Sequence, residues 1–111
     1  MRDDSLSVTL HAVADPTRRA ILSRLLTGSA GVKELAEPFE LSLPAVTKHI
    51  RILEQAGLIQ KAKQAQWRPC RLRPERLQEI AHWLDPYRQL WGTRLDLLEA
   101  HLADSGPVKT D

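Results

Sequence analysis

A chain of 111 residues with 42% hydrophobic content is sized for one modest core, which leaves no room for a second, catalytic domain. No run approaches the roughly 18 consecutive apolar residues of a membrane span. The opening MRDDSLSV is too acidic and too polar for a secretory signal, so a cytoplasmic location is expected. The single cysteine, Cys70, has no intramolecular disulfide partner, in keeping with a reducing compartment. The net charge of +2 is unevenly spread: residues 1–40 carry five Lys/Arg against six Asp/Glu, residues 41–74 seven against one, and residues 75–111 four against seven. A central third whose sole acid is Glu54 suits a surface facing a polyanion, because each neutralised phosphate releases counterions. Taken alone, a merely solvated basic face is an equal reading.

In chain order, Leu6, Leu10 and Val13 at helical spacing predict a first helix over 6–14. Asp15 is a good N-cap and Pro16 suits the first helical position, so a second helix is expected over 16–27, with Ile21, Leu22, Leu25 and Leu26 inward and Gly28 ending it. A short third helix covers 32–39, buried through Val32, Leu35, Ala36 and Phe39 and limited by Pro38. Ser42 then reads as the N-cap of a fourth helix that carries Pro44 in its first turn, runs to Ala56 and stops at Gly57. Val46, Ile50 and Leu53 share one side of it; Thr47, Lys48, Arg51 and Gln55 share the other. Alternation in LIQKAK (58–63) and WRPCRL (67–72) predicts a β-hairpin, although its turn lacks glycine and Pro69 confines its strand to an edge. Residues 74–103 read as helical, with Asp85-Pro86 forcing a kink or a break, and SGPVKTD as a disordered tail.

These elements are mainly α with a small β-hairpin. Helix 3, a turn, helix 4 and a basic hairpin follow one another in the order of a winged helix-turn-helix. The expected domain is residues 1–103, with 104–111 as tail. A helix fits the major groove, so the solvent face of helix 4 is the candidate reader of double-stranded DNA: Thr47, Lys48 and Arg51, with Ser42 and Pro44 at its N-terminal end. Arg51 is placed to read guanine, Thr47 to touch a thymine methyl or a phosphate, and Lys48 a phosphate. Lys61, Lys63, Arg68 and Arg71 would flank the groove as the wing. His49, at the edge of the core face, reads as a structural hydrogen-bonder.

The run HAVADPTRRAIL (11–22), followed by VKELAEPFELSLPAVTKHIRILEQAGLI (32–59), resembles the ArsR family of arsenic-repressor-like winged-helix regulators. The likeness covers about residues 6–103. It implies a dimeric repressor on its own promoter region, released when an effector binds or a residue is modified. It assigns the dimer interface to the first and last helices, through Leu6, Leu10, Val13, Tyr87, Trp91, Leu95, Leu98 and Leu102. A twofold dimer would bind an inverted-repeat operator.

Two metal-site patterns belong to the family, and neither is complete here. The C-x-C pair of helix 3 is replaced by the thiol-free stretch Glu34–Phe39. The D-x-H half-motif expected ahead of His101 falls on Arg88 and Leu90, so no metal and no cofactor is expected. Cys70, among Arg68, Arg71 and Arg73, is a candidate thiol sensor if those charges favour its thiolate, and otherwise a strand residue. No G-x-S-x-G and no glycine-rich phosphate loop occurs, so no enzymatic activity is expected. The alternative to DNA is a basic module that docks an acidic protein.

Overall fold

The computed structural model describes residues 4–63 and 66–104, the last of these, from 92 onward, by backbone alone. The element order is α1 (Ser5–Val13), α2 (Pro16–Leu25), α3 (Val32–Ala36), α4 (Leu43–Gln55), β1 (Ile59–Lys61), β2 (Cys70–Leu72) and α5 (Glu75–Asp104). The arrangement is the expected helical one with a two-stranded hairpin after the helix-turn-helix. Residues as far as Ile80 form one compact unit, and those from Ala81 form a second.

Local signals start and stop the first four helices. The Asp4 carboxylate accepts the Ser7 amide at 2.7 Å at the start of α1, and Asp15 accepts the Arg18 amide at 3.0 Å at the start of α2. These bonds hold both carboxyls below their ordinary range. Ser42 accepts the Ala45 amide at 3.3 Å ahead of α4, and Glu34 reaches back to the Gly31 N–H at 2.9 Å ahead of α3. After α2 and α4 the chain turns through Gly28 and Gly57 at φ of +136° and +79°, a region that side chains with a Cβ avoid.

The core is the inner stripe of each element: Ala12, Ile21, Leu22, Leu25, Leu35, Val46, Ile50, Leu53, Leu58 and Ile59 are all buried. Two expected boundaries shift. α3 ends at Ala36 rather than 39, because Pro38 has no N–H to give the Glu34 carbonyl. α2 ends at Leu25, which leaves Leu26 past the last inward position and 73% exposed instead of buried. On α1 the residues turned fully inward are Thr9 and Ala12, whereas Leu6, Leu10 and Val13 are half-buried, with Val13 packed against the core.

Arg18 is also buried. It continues the stripe of Ile21, Leu22 and Leu25 at positions i, i+3, i+4 and i+7, and only 8% of it is exposed. Its Nε donates to the Ala12 carbonyl at 2.6 Å, Nη2 to the His11 carbonyl at 3.1 Å, and Nη1 lies 3.2 Å from His49 Nδ1. The neighbouring Arg19 donates to the Val13 carbonyl at 2.8 Å. The two arginines thus bind carbonyls at the end of α1, at the negative pole of that helix: those of Ala12 and Val13, and that of His11, which also accepts the Ala14 N–H at 3.2 Å.

The hairpin pairs Ile59 with Leu72, Gln60 with Arg71 and Lys61 with Cys70, antiparallel. With two strands in the sheet, β2 is an edge strand as expected, and its free side is bridged at one residue. Cys70 exchanges two backbone bonds with Ala30, of 2.8 and 3.1 Å, on the side away from β1. Pro69, which has no N–H, lies just ahead of β2 and only accepts, from Ala62 at 2.9 Å. α5 begins against α1: Ser5 donates to Glu79 at 2.8 Å, and Arg76 bonds both.

α5 runs through Pro86 without a break, where a kink or a break was expected. A proline removes one bond from the ladder, and this helix is rich in Leu, Glu, Gln, Arg and Ala, which are strong helix formers. Trp83 and Tyr87 stack at 5.7 Å with a tilt of 55°, and Leu90 and Trp91 are exposed beside them in sequence. The tail expected at 104–111 lies outside the described residues, apart from Asp104, which ends α5.

Two measurements test this packing. Arg18→Ala is expected to lower the unfolding free energy by about 2–4 kcal/mol in urea, because it leaves the Ala12 carbonyl and His49 without this partner and takes one of two donors from the His11 carbonyl. Arg19→Ala, on an exposed side chain with one bond, should cost under about 1 kcal/mol. Asp15 has a folded pKa below its ordinary 3.8, so its contribution is whole above that value and is lost as pH falls through the lower folded one. Asp15→Asn, which keeps the cap, should therefore show a shallower loss of stability below about pH 4 than the unsubstituted protein.

Candidate nucleic-acid interface

α4 has two unlike faces, and the scaffold fixes which one looks outward. Val46, Ile50 and Leu53 are completely buried. His49, at the edge of that face, is held by Arg18, and its Nδ1 stands 3.9 Å from Asp15 Oδ2. Because a guanidinium only donates, Nδ1 accepts here, which is the structural role expected of His49. No freedom remains for α4 to roll about its axis without breaking these contacts.

The outward face carries the residues expected from the sequence. Pro44, Thr47, Lys48 and Arg51 line one open depression together with Leu43. Lys48 and Arg51 are exposed, and among the described residues neither is in an ion pair. Ser42 lies at the N-terminal end of the same helix with its hydroxyl engaged as the cap. Leu43 was not singled out by the sequence reading, although its place directly after the N-cap is a signal for it.

The hairpin divides the wing residues. Side chains of an antiparallel pair alternate between faces, so Lys61 and Cys70 share one face while Gln60 and Arg71 share the other. Arg71 accordingly donates to Gln60 at 3.3 Å. Lys61, Lys63 and Arg68 are exposed and, among the described residues, free of ion pairs; Lys63 stands next to 64–65, which lie outside the described residues. The structure therefore gathers Pro44, Thr47, Lys48 and Arg51 in one place and leaves Arg71 on a face that Lys61 does not share.

Of its two expected roles, Cys70 takes that of a strand residue in β2. Its side chain is wholly buried at the base of the hairpin, and burial pushes its thiol above the ordinary 9.0. Lys61 pulls it down more weakly, and Glu54 adds to the rise. The arginines expected to favour a thiolate do not: Arg71 points to the other face and Arg73 pairs with Glu75 at 3.9 Å. In the second unit, the histidine-carboxylate pair at His82 and Asp85 is 3.7 Å apart, with Asp85 also 3.6 Å from Arg88. Among the described residues no group of three or more metal-ligating side chains comes together. His101 and Asp104, at the same spacing in the sequence, and Leu95, Leu98 and Leu102, expected at the dimer interface, lie beyond the described side chains.

Residues 15–61, from the N-cap of α2 to the end of β1, match the family described as bacterial regulatory protein, arsR family. The transcriptional repressor SdpR of Bacillus subtilis is 36% identical over 73 residues, which cover 66% of this chain and 81% of that protein. A crystal structure of an ArsR family transcriptional regulator superposes with a TM-score of 0.72 at 43% identity, covering 80% of this chain and 98% of that one. HlyU from Vibrio cholerae superposes with a TM-score of 0.60 at 32% identity, covering 75% and 91%.

The buried thiol gives a direct check. The native protein should resist a thiol-reactive probe for as long as it stays folded and label once denatured; rapid, complete labelling of the folded protein would contradict the placement of Cys70.

Proposed function

The chain belongs to the arsR family of bacterial regulatory proteins, and from that membership we propose that it is a cytoplasmic transcriptional repressor, not an enzyme, that binds an inverted-repeat operator as a twofold homodimer. The observation that carries this reading is the asymmetry of α4: an inner face buried to the last side chain and an outer face whose Lys48 and Arg51 have no ion-pair partner among the described residues. A helix of about 10–12 Å diameter fits the major groove, and two basic side chains left bare on it are suited to a polyanion. Arg51 presents a planar fork to guanine; Thr47 and Lys48 serve the adjoining backbone; the N-terminal end at Ser42 and Pro44 offers open N–H groups to a phosphate. Lys61, Lys63 and Arg68 run along the backbone as the wing, with Arg71 a weaker contributor because it faces the other way.

Residues 1–103 act in this reading as one DNA-binding and dimerisation unit. Leu6 and Leu10 on α1 remain half-open, and Tyr87 and Trp91 on α5 are about half exposed, which supports their assignment to the partner-facing surface with Leu95, Leu98 and Leu102. Among the described residues no helix is long and apolar enough to cross a membrane. Repression is assigned by likeness to SdpR; HlyU is a transcriptional activator, so the fold serves either sign. A reporter placed behind an operator selected by this protein from a pool of random duplexes should therefore fall in expression when the protein is supplied.

Footprinting on that operator should show two half-sites related by a twofold axis, about one helical turn apart or a small multiple of it. Arg51→Ala is expected to cost about 1–3 kcal/mol on the operator and to relax preference at one base pair per half-site. Lys63→Ala should weaken binding to operator and random duplex alike and reduce the salt slope by about two per dimer. Equal proportional losses for both variants on both DNAs would remove the division between reader and anchor. Salt-dependent binding to an acidic protein but to no duplex would replace DNA with a protein partner.

A further inference from the structure

Leu43 is the first residue of α4, and 43% of it is open to solvent although it is a large aliphatic side chain. Val46, Ile50 and Leu53 of the same helix are wholly buried. Leu43 lines the depression that also holds Pro44, Thr47, Lys48 and Arg51. Residues 43, 47 and 51 follow at intervals of four, so they form one stripe along the helix, apolar at one end and cationic at the other. An aliphatic group makes no bond to a phosphate. In the major groove the one apolar group that a base pair presents is the 5-methyl of thymine. Thr47, whose methyl is the other candidate on this stripe, is half-buried one turn further along.

We infer that Leu43 is a base-reading residue, its isobutyl group packing, beside the Pro44 ring, on the 5-methyl of a thymine in the operator. The inference rests on the reading of α4 as the helix in the major groove and adds to it a specificity element of opposite chemistry to Arg51. Its reach is set by geometry. Eight residues of helix span about 12 Å, and successive base pairs lie about 3.4 Å apart. The thymine therefore lies within about four base pairs of the guanine that Arg51 reads, in each half-site.

The test uses the full chain and a duplex that it has selected from a random pool. Each thymine of a half-site is replaced in turn by uracil, which removes the methyl and leaves the pairing and hydrogen-bonding edges unchanged. One position should lose about fourfold in affinity per half-site, the effect of uncovering one methyl group. Leu43→Ala should bind the thymine and uracil duplexes alike, whereas Thr47→Ser, which lacks only the threonine methyl, should keep the full difference. Circular dichroism of Leu43→Ala checks that it remains folded, which its exposed position favours. A selected half-site without thymine in that reach, no loss at any uracil, or a loss that persists in Leu43→Ala and vanishes in Thr47→Ser would overturn the inference. In those cases the effect of Arg51→Ala at its guanine, read on the same duplex, would stand by itself. Absence of salt-dependent binding to any duplex would overturn the DNA reading as well.

Discussion

The guanidinium of Arg18 is the constraint on which the rest of the reading depends. A charge this well buried is tolerable only when its nitrogens are partnered, and here each of the three has an acceptor on one of two other helices: the His11 and Ala12 carbonyls at the end of α1 and Nδ1 of His49 on α4. The same few residues, Asp15 through Arg19, cap the start of α2, close the end of α1 with a second arginine and hold α4 through His49. An Asp-Pro-x-Arg-Arg run is thus a joint between three helices. Lysine could not replace Arg18, since a single ammonium cannot spread donors to carbonyls on one side and an imidazole on the other.

From that joint follows the division of α4 into an inner and an outer face. With Val46, Ile50 and Leu53 sealed and His49 held, the side chains at 43, 44, 47, 48 and 51 have only the outside to face. The hairpin is fixed to the same scaffold by a different device, the pair of backbone bonds between Cys70 and Ala30, which ties the base of the wing to the loop ahead of α3. That device also decides the chemistry of the thiol. A cysteine placed where three backbone segments meet is desolvated, and desolvation disfavours the thiolate that a sensor would need.

Much of the fold was legible because its signals are local. Asp15, Ser42, Gly28 and Gly57 each act on the backbone within a few residues, and the 3.6-residue period of α4 separates its faces without reference to anything else. The candidate residues of α4 follow from that period and were brought together as expected. What was not legible depends on partners far along the chain. The sidedness of Lys61 and Arg71 follows from hairpin register, and the burial of Cys70 from a bridge to Ala30, forty residues earlier. Pro86 is tolerated because of the helix on both sides of it, and Leu26 is exposed because it lies to one side of the inward stripe of Arg18, Ile21, Leu22 and Leu25. Arg18 lies between these cases. Its spacing from Ile21, Leu22 and Leu25 puts it on the core stripe, but an arginine there reads as surface until the carbonyls that receive it are located.

The claim at the centre of this account is that the contact from Arg18 to His49 sets the pose in which α4 is presented. A double-mutant cycle on Arg18→Met and His49→Ala, read both in urea unfolding and in affinity for the selected operator, tests it directly. The account predicts a coupling of about 1 kcal/mol or more in each readout. Effects that simply add in both, within about 0.3 kcal/mol, would contradict it.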